Sequence, residues 1–558
     1  MLIKRSRNFL SFFHNWIYSF AQSSQLYGLS LIGRTQEINH SPLIDSWPGN
    51  LEIGQKLVQG IFSVRNDSFS FKTGTLFLTH SHACPKEYLF FFHSFEWLRD
   101  LRMVSTNISR KRTRESIKAW IKSNNSWTSK PWLLSSWDHE IIGQRLRYWL
   151  SMYDFFGVNA NEDFKKIFFK SVNCQYRYLK RTYKKKIYEP WKYFQVLIGL
   201  IFAVCFLDKK SALLKQYLKE LEHNLIENLF QDGGHMSRVP TMHFLVLRDL
   251  IDIRSLMRAS ALEEPLFLQQ AIQHIAPLVR FFRHTNGELG NFRGVVDETD
   301  FNNISHYKIS AAMVDMALSL SDIKSQGISK CIDTGYEKFV SKSGLIILNV
   351  KPSLPKIGLA EKDLGVLDFE WSVSGFGQIC SSDIILQDGQ HQAIRMKEFL
   401  NNTETEAVST VDILRQQKKG HHHIWAKLTH ENFLYKLKLQ REFCLSPEMG
   451  DFRGIEHIIF DSFDNPAIVG TRFIFNKGAE ILSDSQRNIR IKVNVLGDKK
   501  LNPQSLNVWR LSSSGNEQFL THSLSDGRLV VALMSLIQPQ LSTVIKWAFR
   551  LESCNKII

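Results

Sequence analysis

A chain of 558 residues with 44% hydrophobic content is long enough to bury a large core and to form more than one domain. Its 70 Lys and Arg against 54 Asp and Glu give a net charge of +16, which favours a polyanionic partner: acidic glycan, nucleic acid or anionic lipid. The 7 cysteines, Cys84, Cys174, Cys205, Cys331, Cys380, Cys444 and Cys554, are scattered, odd in number and never spaced as CxxC, so neither a disulfide framework nor a thiolate zinc site is indicated.

At the start of the chain, Lys4, Arg5 and Arg7 precede Phe9-Leu10-Ser11-Phe12-Phe13, as in the opening of a secretory signal. His14 and Asn15 then interrupt the apolar stretch, and no convincing small-x-small cleavage site follows before Leu26. The competing reading is a basic, aromatic amphipathic helix lying on a membrane surface or on the rest of the fold.

From about Glu96 to Leu320 the apolar spacing is helical, as in Ile141, Leu146, Trp149, Leu150 and Tyr153, with stops at Gly157, Asp208, Gly233-Gly234 and Gly287. Within this stretch, Tyr176 to Lys186 is rich in Lys, Arg and Tyr, a composition open to nucleic acid; helical spacing spreads its charges around the axis, as on a solvated face. Tyr193 to Leu207 is the most apolar run. At about fifteen residues it falls short of the ~20 that a bilayer requires, so a helix buried all round is expected there.

From Ser343 the pattern changes to short β-rich runs, among them Leu345-Ile346-Ile347-Leu348 and Ile455-Glu456-His457-Ile458-Ile459-Phe460, separated by Gly, Asn and Asp. Helices followed by strands imply two domains, 1–332 and 333–558, with the boundary near Asp333-Thr334-Gly335. No repeat of fixed period appears, and no GxGxxG, P-loop, HExxH or GxSxG motif, so nucleotide-dependent chemistry and serine hydrolysis lack support.

Several stretches in this order carry a family likeness: Leu26-Tyr27-Gly28-Leu29, Phe95-Glu96-Trp97-Leu98-Arg99, Trp137 to Leu146, Asp232-Gly233-Gly234-His235, Gly335-Tyr336-Glu337, Phe369-Glu370-Trp371, Ser409-Thr410, Arg472-Phe473 and Trp509-Arg510. Together they resemble the heparinase II/III-like polysaccharide lyases. The resemblance implies a multidomain α and β protein, an N-terminal incomplete (α/α) toroid followed by a C-terminal antiparallel β-sandwich. It implies β-elimination on an acidic, uronic-acid polysaccharide, and a place in the cell envelope or periplasm; without a convincing signal peptide, the cytoplasm stays open.

Such elimination needs a group to neutralise the uronate carboxylate, a base for the ring proton and an acid at the leaving oxygen. The resemblance assigns His235, His430 and Tyr435 to proton transfer or carboxylate neutralisation, and Arg238, Arg283, His284 and Arg441 to substrate binding. The alternative for His235 and Arg238 is a turn with capping residues, for Arg283 and His284 a capped helix end, and for Tyr435 a half-buried packing residue on a strand. Three family histidines are replaced, by Asp363, by Val408 and in Ile474-Phe475-Asn476, so weakened turnover is expected. A non-catalytic glycan-binding or envelope-assembly protein is the second reading, and a peripheral membrane or nucleic-acid binder the third. No cofactor is expected; His421-His422-His423 offers imidazoles for zinc but reads better as a solvated polar loop.

Overall fold

The computed structural model describes residues 25–35, 45–64, 67–70, 86–124, 135–186, 188–207, 212–292, 309–324, 327–341, 344–351, 367–373, 378–388, 394–395, 408–418, 421–431, 436–446, 450–461, 467–485, 487–493, 508–515, 517–524, 527–537 and 542–552. The chain divides into two compact units, one of Met1–Asn228, Asp249–Gln270 and Glu298–Lys308, the other of Leu229–Arg248, Ala271–Asp297 and Ile309–Ile558.

Among the described residues, the first unit is helical apart from the hairpin Ile61–Val64 with Asp67–Ser70. Its helix Glu162–Thr182 shows why these residues wind as they do. Asn161 caps the start by accepting from Phe164 N, Glu162 and Asp163 occupy the first turn, Lys180 and Arg181 the last, and Phe164, Phe168 and Val172 form one buried stripe. Arg177 and Arg181 of the same helix donate to main-chain oxygens of residues 30 to 34, so part of the basic cluster seen in the sequence is occupied locally.

Helix Pro190–Leu207 is long and apolar enough to cross a membrane by composition, yet Phe194 to Leu207 are all buried inside the unit. It crosses helix His139–Ser151 with backbones almost touching: a Cβ on Gly199 would stand 2.3 Å from the Cα of Gly143. The same unit buries an ionic network. Arg147 donates to Asp249 (2.7 Å) and Asp252, Trp47 Nε1 donates to Asp252 (2.6 Å), and Arg99 pairs with Asp45 (2.7 Å). Arg99 and its neighbouring guanidinium Arg102 hold the Asp45 carboxyl below its usual range despite burial.

The second unit is built on two antiparallel sheets. One runs Ala479–Ser485, Asn488–Val493, Val508–Ser513, Ser542–Glu552, Asp451–Asp461, Lys436–Leu445, His421–Glu431, Val408–Lys418. The other runs Gln518–Ser523, Leu529–Ile537, Ala467–Phe475, Gln378–Asp388, Phe369–Val373, Gly344–Asn349, Tyr336–Val340, Lys330–Cys331, with Ile394–Arg395 beside Gln378–Asp388. They share one core in which aromatics of opposite sheets meet: Phe369 with Phe443 at 5.1 Å, Trp371 with Trp509 at 4.9 Å, Phe473 with Phe549 at 5.0 Å.

Secondary structure changes from helix to strand between Leu320 and Lys330, close to the expected boundary. Compactness divides the chain differently, because residues 229–248 and 271–297 belong with the sheets. The reason lies in polar clasps. Asp232 accepts from the N–H groups of Asp333 (2.9 Å) and Thr334 (2.7 Å) and from the Thr334 hydroxyl (2.7 Å). Lys338 Nζ donates to the carbonyls of Phe281 (2.7 Å) and Arg283 (3.0 Å), capping the end of helix Leu266–Phe281, and its burial pulls the ammonium pKa down to about 8.

Candidate functional site

The Asp-Gly-Gly-His stretch is a tight turn. Phe230 N donates to Gly234 O (2.7 Å), and Leu229 and His235 form an isolated antiparallel bridge. Gly233 has φ +86°, and a Cβ there would stand 2.4 Å from the carbonyl oxygen of His274, so the position admits no side chain.

This turn leaves His235 half-buried with one nitrogen spoken for. Nδ1 accepts the main-chain N–H of Ser237 (3.1 Å) and lies 2.8 Å from its hydroxyl, which puts the ring proton on Nε2. Burial lowers the pKa to about 4, so near neutrality His235 is an uncharged imidazole presenting an N–H donor. It is suited to binding a carboxylate or a developing oxyanion.

Behind it lies His243, on helix Pro240–Ala259. Its ring is 1% exposed, stacked on Phe282 at 5.3 Å and 11°, and neither ring nitrogen has a hydrogen-bond partner among the described residues. Desolvation, and then the charge of the Arg238 guanidinium, push its pKa well below the ordinary value. Sequence reading passed over His243 because a lone histidine in an apolar helix looks like core, which is also where it sits.

The remaining expected site residues are placed as follows. Arg238 is fully buried with φ +57°, and its guanidinium donates to the oxygens of Thr334 (2.7 Å), Lys351 (3.1 Å), Gly335 (3.3 Å) and Asn349; it ties the turn to the sheet in place of holding a substrate charge. His284 is buried between Glu370 (Nε2 to Oε2, 2.8 Å) and Ser372 (Nδ1 to Oγ, 2.9 Å), while Glu370 Oε1 accepts the N–H groups of Asn291 and Phe292. Glu370 belongs to the Phe369-Glu370-Trp371 stretch of the family likeness, and its pairing with a histidine 86 residues away leaves no mark in that local pattern.

Arg441 lies between the sheets in a bidentate pair with Glu456 (2.7 and 2.8 Å) and donates to Leu367 O (2.7 Å), so it too is turned inward. Arg283 stays partly exposed, paired with Asp315. His430 stands in strand His421–Glu431 opposite Ser409 and Leu437; Tyr435 and Asp363 lie outside the described residues. Val408 starts the edge strand opposite Glu431, and Phe475 is core. Among the described residues no hydrogen bond or ion pair joins His235 to His284 or Arg441. His421, His422 and His423 form a strand end, not a loop, and alternation sends His422 to the face opposite the other two. Among the described residues no group of three or more metal-ligating side chains converges.

Solved structures share this architecture along nearly the whole chain. The crystal structure of heparinase III matches with a TM-score of 0.59 at 13% identity, covering 95% of this chain and 89% of that one. The fold is that of heparinase III. A second heparinase III gene product (TM-score 0.53, 11% identity, 93% and 87% coverage) and the heparan sulfate lyase HepC from Pedobacter heparinus (0.50, 10%, 95% and 87%) agree. No family model and no curated protein sequence matches the chain. At such identities the heparinase III likeness speaks for fold, and the chemistry must be argued from this chain's own side chains.

Proposed function

We propose that this chain acts on an acidic, uronic-acid polysaccharide by β-elimination, with weakened activity, on a helical (α/α) toroid joined to a β-sandwich in the cell envelope. The heparinase III fold supports a polysaccharide as the substrate class, and the charge of +16 suits an acidic one. The observation that carries the reading is His235, a neutral imidazole held by Ser237 with its Nε2–H unengaged among the described residues.

In this reading His235 meets the uronate carboxylate, Arg283 adds positive charge, and His430 and Tyr435 move the proton. Weak turnover follows because Val408 cannot transfer a proton and Phe475 is packed in the core. Binding without catalysis is the second reading. It is favoured by Arg238, His284 and Arg441, whose polar groups are taken up internally.

The test is ultraviolet absorbance from unsaturated uronate after incubating the full chain with heparan sulfate or alginate, with a neutral glucan as control. Slow product formation that falls by ~10² or more in His235→Ala supports elimination. Brisk turnover indifferent to His235→Ala would sink the assignment, and binding with no product would leave the second reading.

A further inference from the structure

The outer face of the eight-stranded sheet carries a patch that the elimination site does not use. Strand His421–Glu431 points Ile424, Ala426 and Leu428 into the core, so His423, Trp425 and Lys427 share the opposite face. His423 and Trp425 stack at 5.9 Å and 18°, forming one aromatic platform. Register sets its surroundings. Trp425 stands beside Leu414, which is 72% exposed at the sheet edge, and in the same row follow Glu442, Ile455 and Lys546. The next row holds Asp412, Lys427 and Gln440, and the one after it Lys438. Among the described residues Lys427, Lys438 and Lys546 have no ion-pair partner, whereas Glu442 is shared with His457.

We propose that this face is a second binding surface for acidic polysaccharide, with a sugar ring on the Trp425–His423 platform and its anionic groups at Lys427, Lys438 and Lys546. Strands about 5 Å apart and rows about 7 Å apart give the three ammonium groups the spread of a short oligosaccharide rather than a single anion. The apolar face of a sugar ring packs on an indole, and Asp412, Glu442 and Gln440 accept from its hydroxyls. Those carboxylates favour a hydroxyl-rich anion over a phosphodiester chain, which offers few donors to them. The ligand class rests on the function proposed above; the surface does not rest on elimination.

The experiment measures binding of the full chain to heparan sulfate and to alginate at several salt concentrations, with single-stranded DNA as competitor and sedimentation run in parallel. Trp425→Ala should weaken binding about ten-fold and Trp425→Phe largely restore it. Lys427→Ala with Lys438→Ala should weaken binding and flatten its salt dependence. Circular dichroism checks that each variant is folded, and turnover with His235→Ala is followed separately. Loss of binding in the face variants, with or without turnover, upholds the surface even where elimination fails. Unchanged binding in folded variants, no binding by the parent chain, full displacement by DNA, or a dimer that Trp425→Ala dissolves would overturn it.

Discussion

The neutrality of His235 ties its chemistry to pH. Above its ordinary value of 6.5 the imidazole is uncharged folded or unfolded and contributes nothing; as pH falls, the unfolded chain takes up the proton while the folded one waits until about 4. Stability should therefore drop across that window. His235→Gln should flatten the fall in melting temperature between pH 6.5 and 4, and an unchanged slope would show that the ring titrates normally. His243→Phe keeps the stacking on Phe282 and removes two buried nitrogens without partners among the described residues. It should stabilise the fold by about 1–2 kcal/mol at neutral pH in denaturant titration.

Arg441 and Glu456 make the opposite case, a buried charge pair whose partners depend on each other. Arg441→Ala leaves the Glu456 carboxylate buried without its guanidinium and should cost about 3–5 kcal/mol. Arg441→Met with Glu456→Gln should recover most of that, since glutamine keeps the acceptor that Trp547 Nε1 uses at 3.0 Å. A double variant as unstable as Arg441→Ala would show that the bond to Leu367 O matters more than the charges.

At the scale of elements, the crossing of helices His139–Ser151 and Pro190–Leu207 sets two effects against each other. Replacing a mid-helix glycine by alanine ordinarily gains up to about 1 kcal/mol of helix propensity. At Gly199 the new methyl would stand 2.3 Å from Gly143 Cα, and parting two packed backbones costs about 1–3 kcal/mol, so sterics win and Gly199→Ala should lower the melting temperature. A rise would mean that the helices separate freely.

The apolar run to Leu207 told of a buried helix because burial is written in composition, whereas the glycine contact depends on a partner some fifty residues away that local pattern does not encode. The same limit explains the site. The turn at Gly233-Gly234 and the strand Phe369–Val373 were legible in short motifs. Arg441 and Glu456 were not, because charges alternating along a strand look solvent-facing until both are found on the core side. His284 reads as a substrate-binding residue or a helix cap because its partner Glu370 is distant in sequence.

At the scale of the molecule, the second unit is assembled from three stretches of chain, and the boundary suggested by composition cuts through it. A fragment of residues 333–558 loses Asp232, Arg238 and His284, leaving Glu370 buried without its imidazole and several main-chain groups of residues 333–351 without partners. Each such loss costs about 1–3 kcal/mol, and together they exceed much of the 5–15 kcal/mol that holds a typical domain. That fragment should show strand in far-ultraviolet circular dichroism, lack near-ultraviolet signal and unfold without a cooperative transition. A sharp two-state melt would show that the sheets stand without the clasps.

The clasp between His284 and Glu370 also sets a clock on biosynthesis. The histidine leaves the ribosome 86 residues before its carboxylate, a wait of roughly 4 to 17 s at ~5–20 residues per second. Through that interval the turn after helix Leu266–Phe281 has polar groups shaped for a strand not yet made, and Asp232 waits longer still for Thr334. Synonymous codon changes that slow translation between residues 292 and 369 should lower the yield of folded protein and raise its capture by chaperones, while the same slowing after residue 400 should do neither.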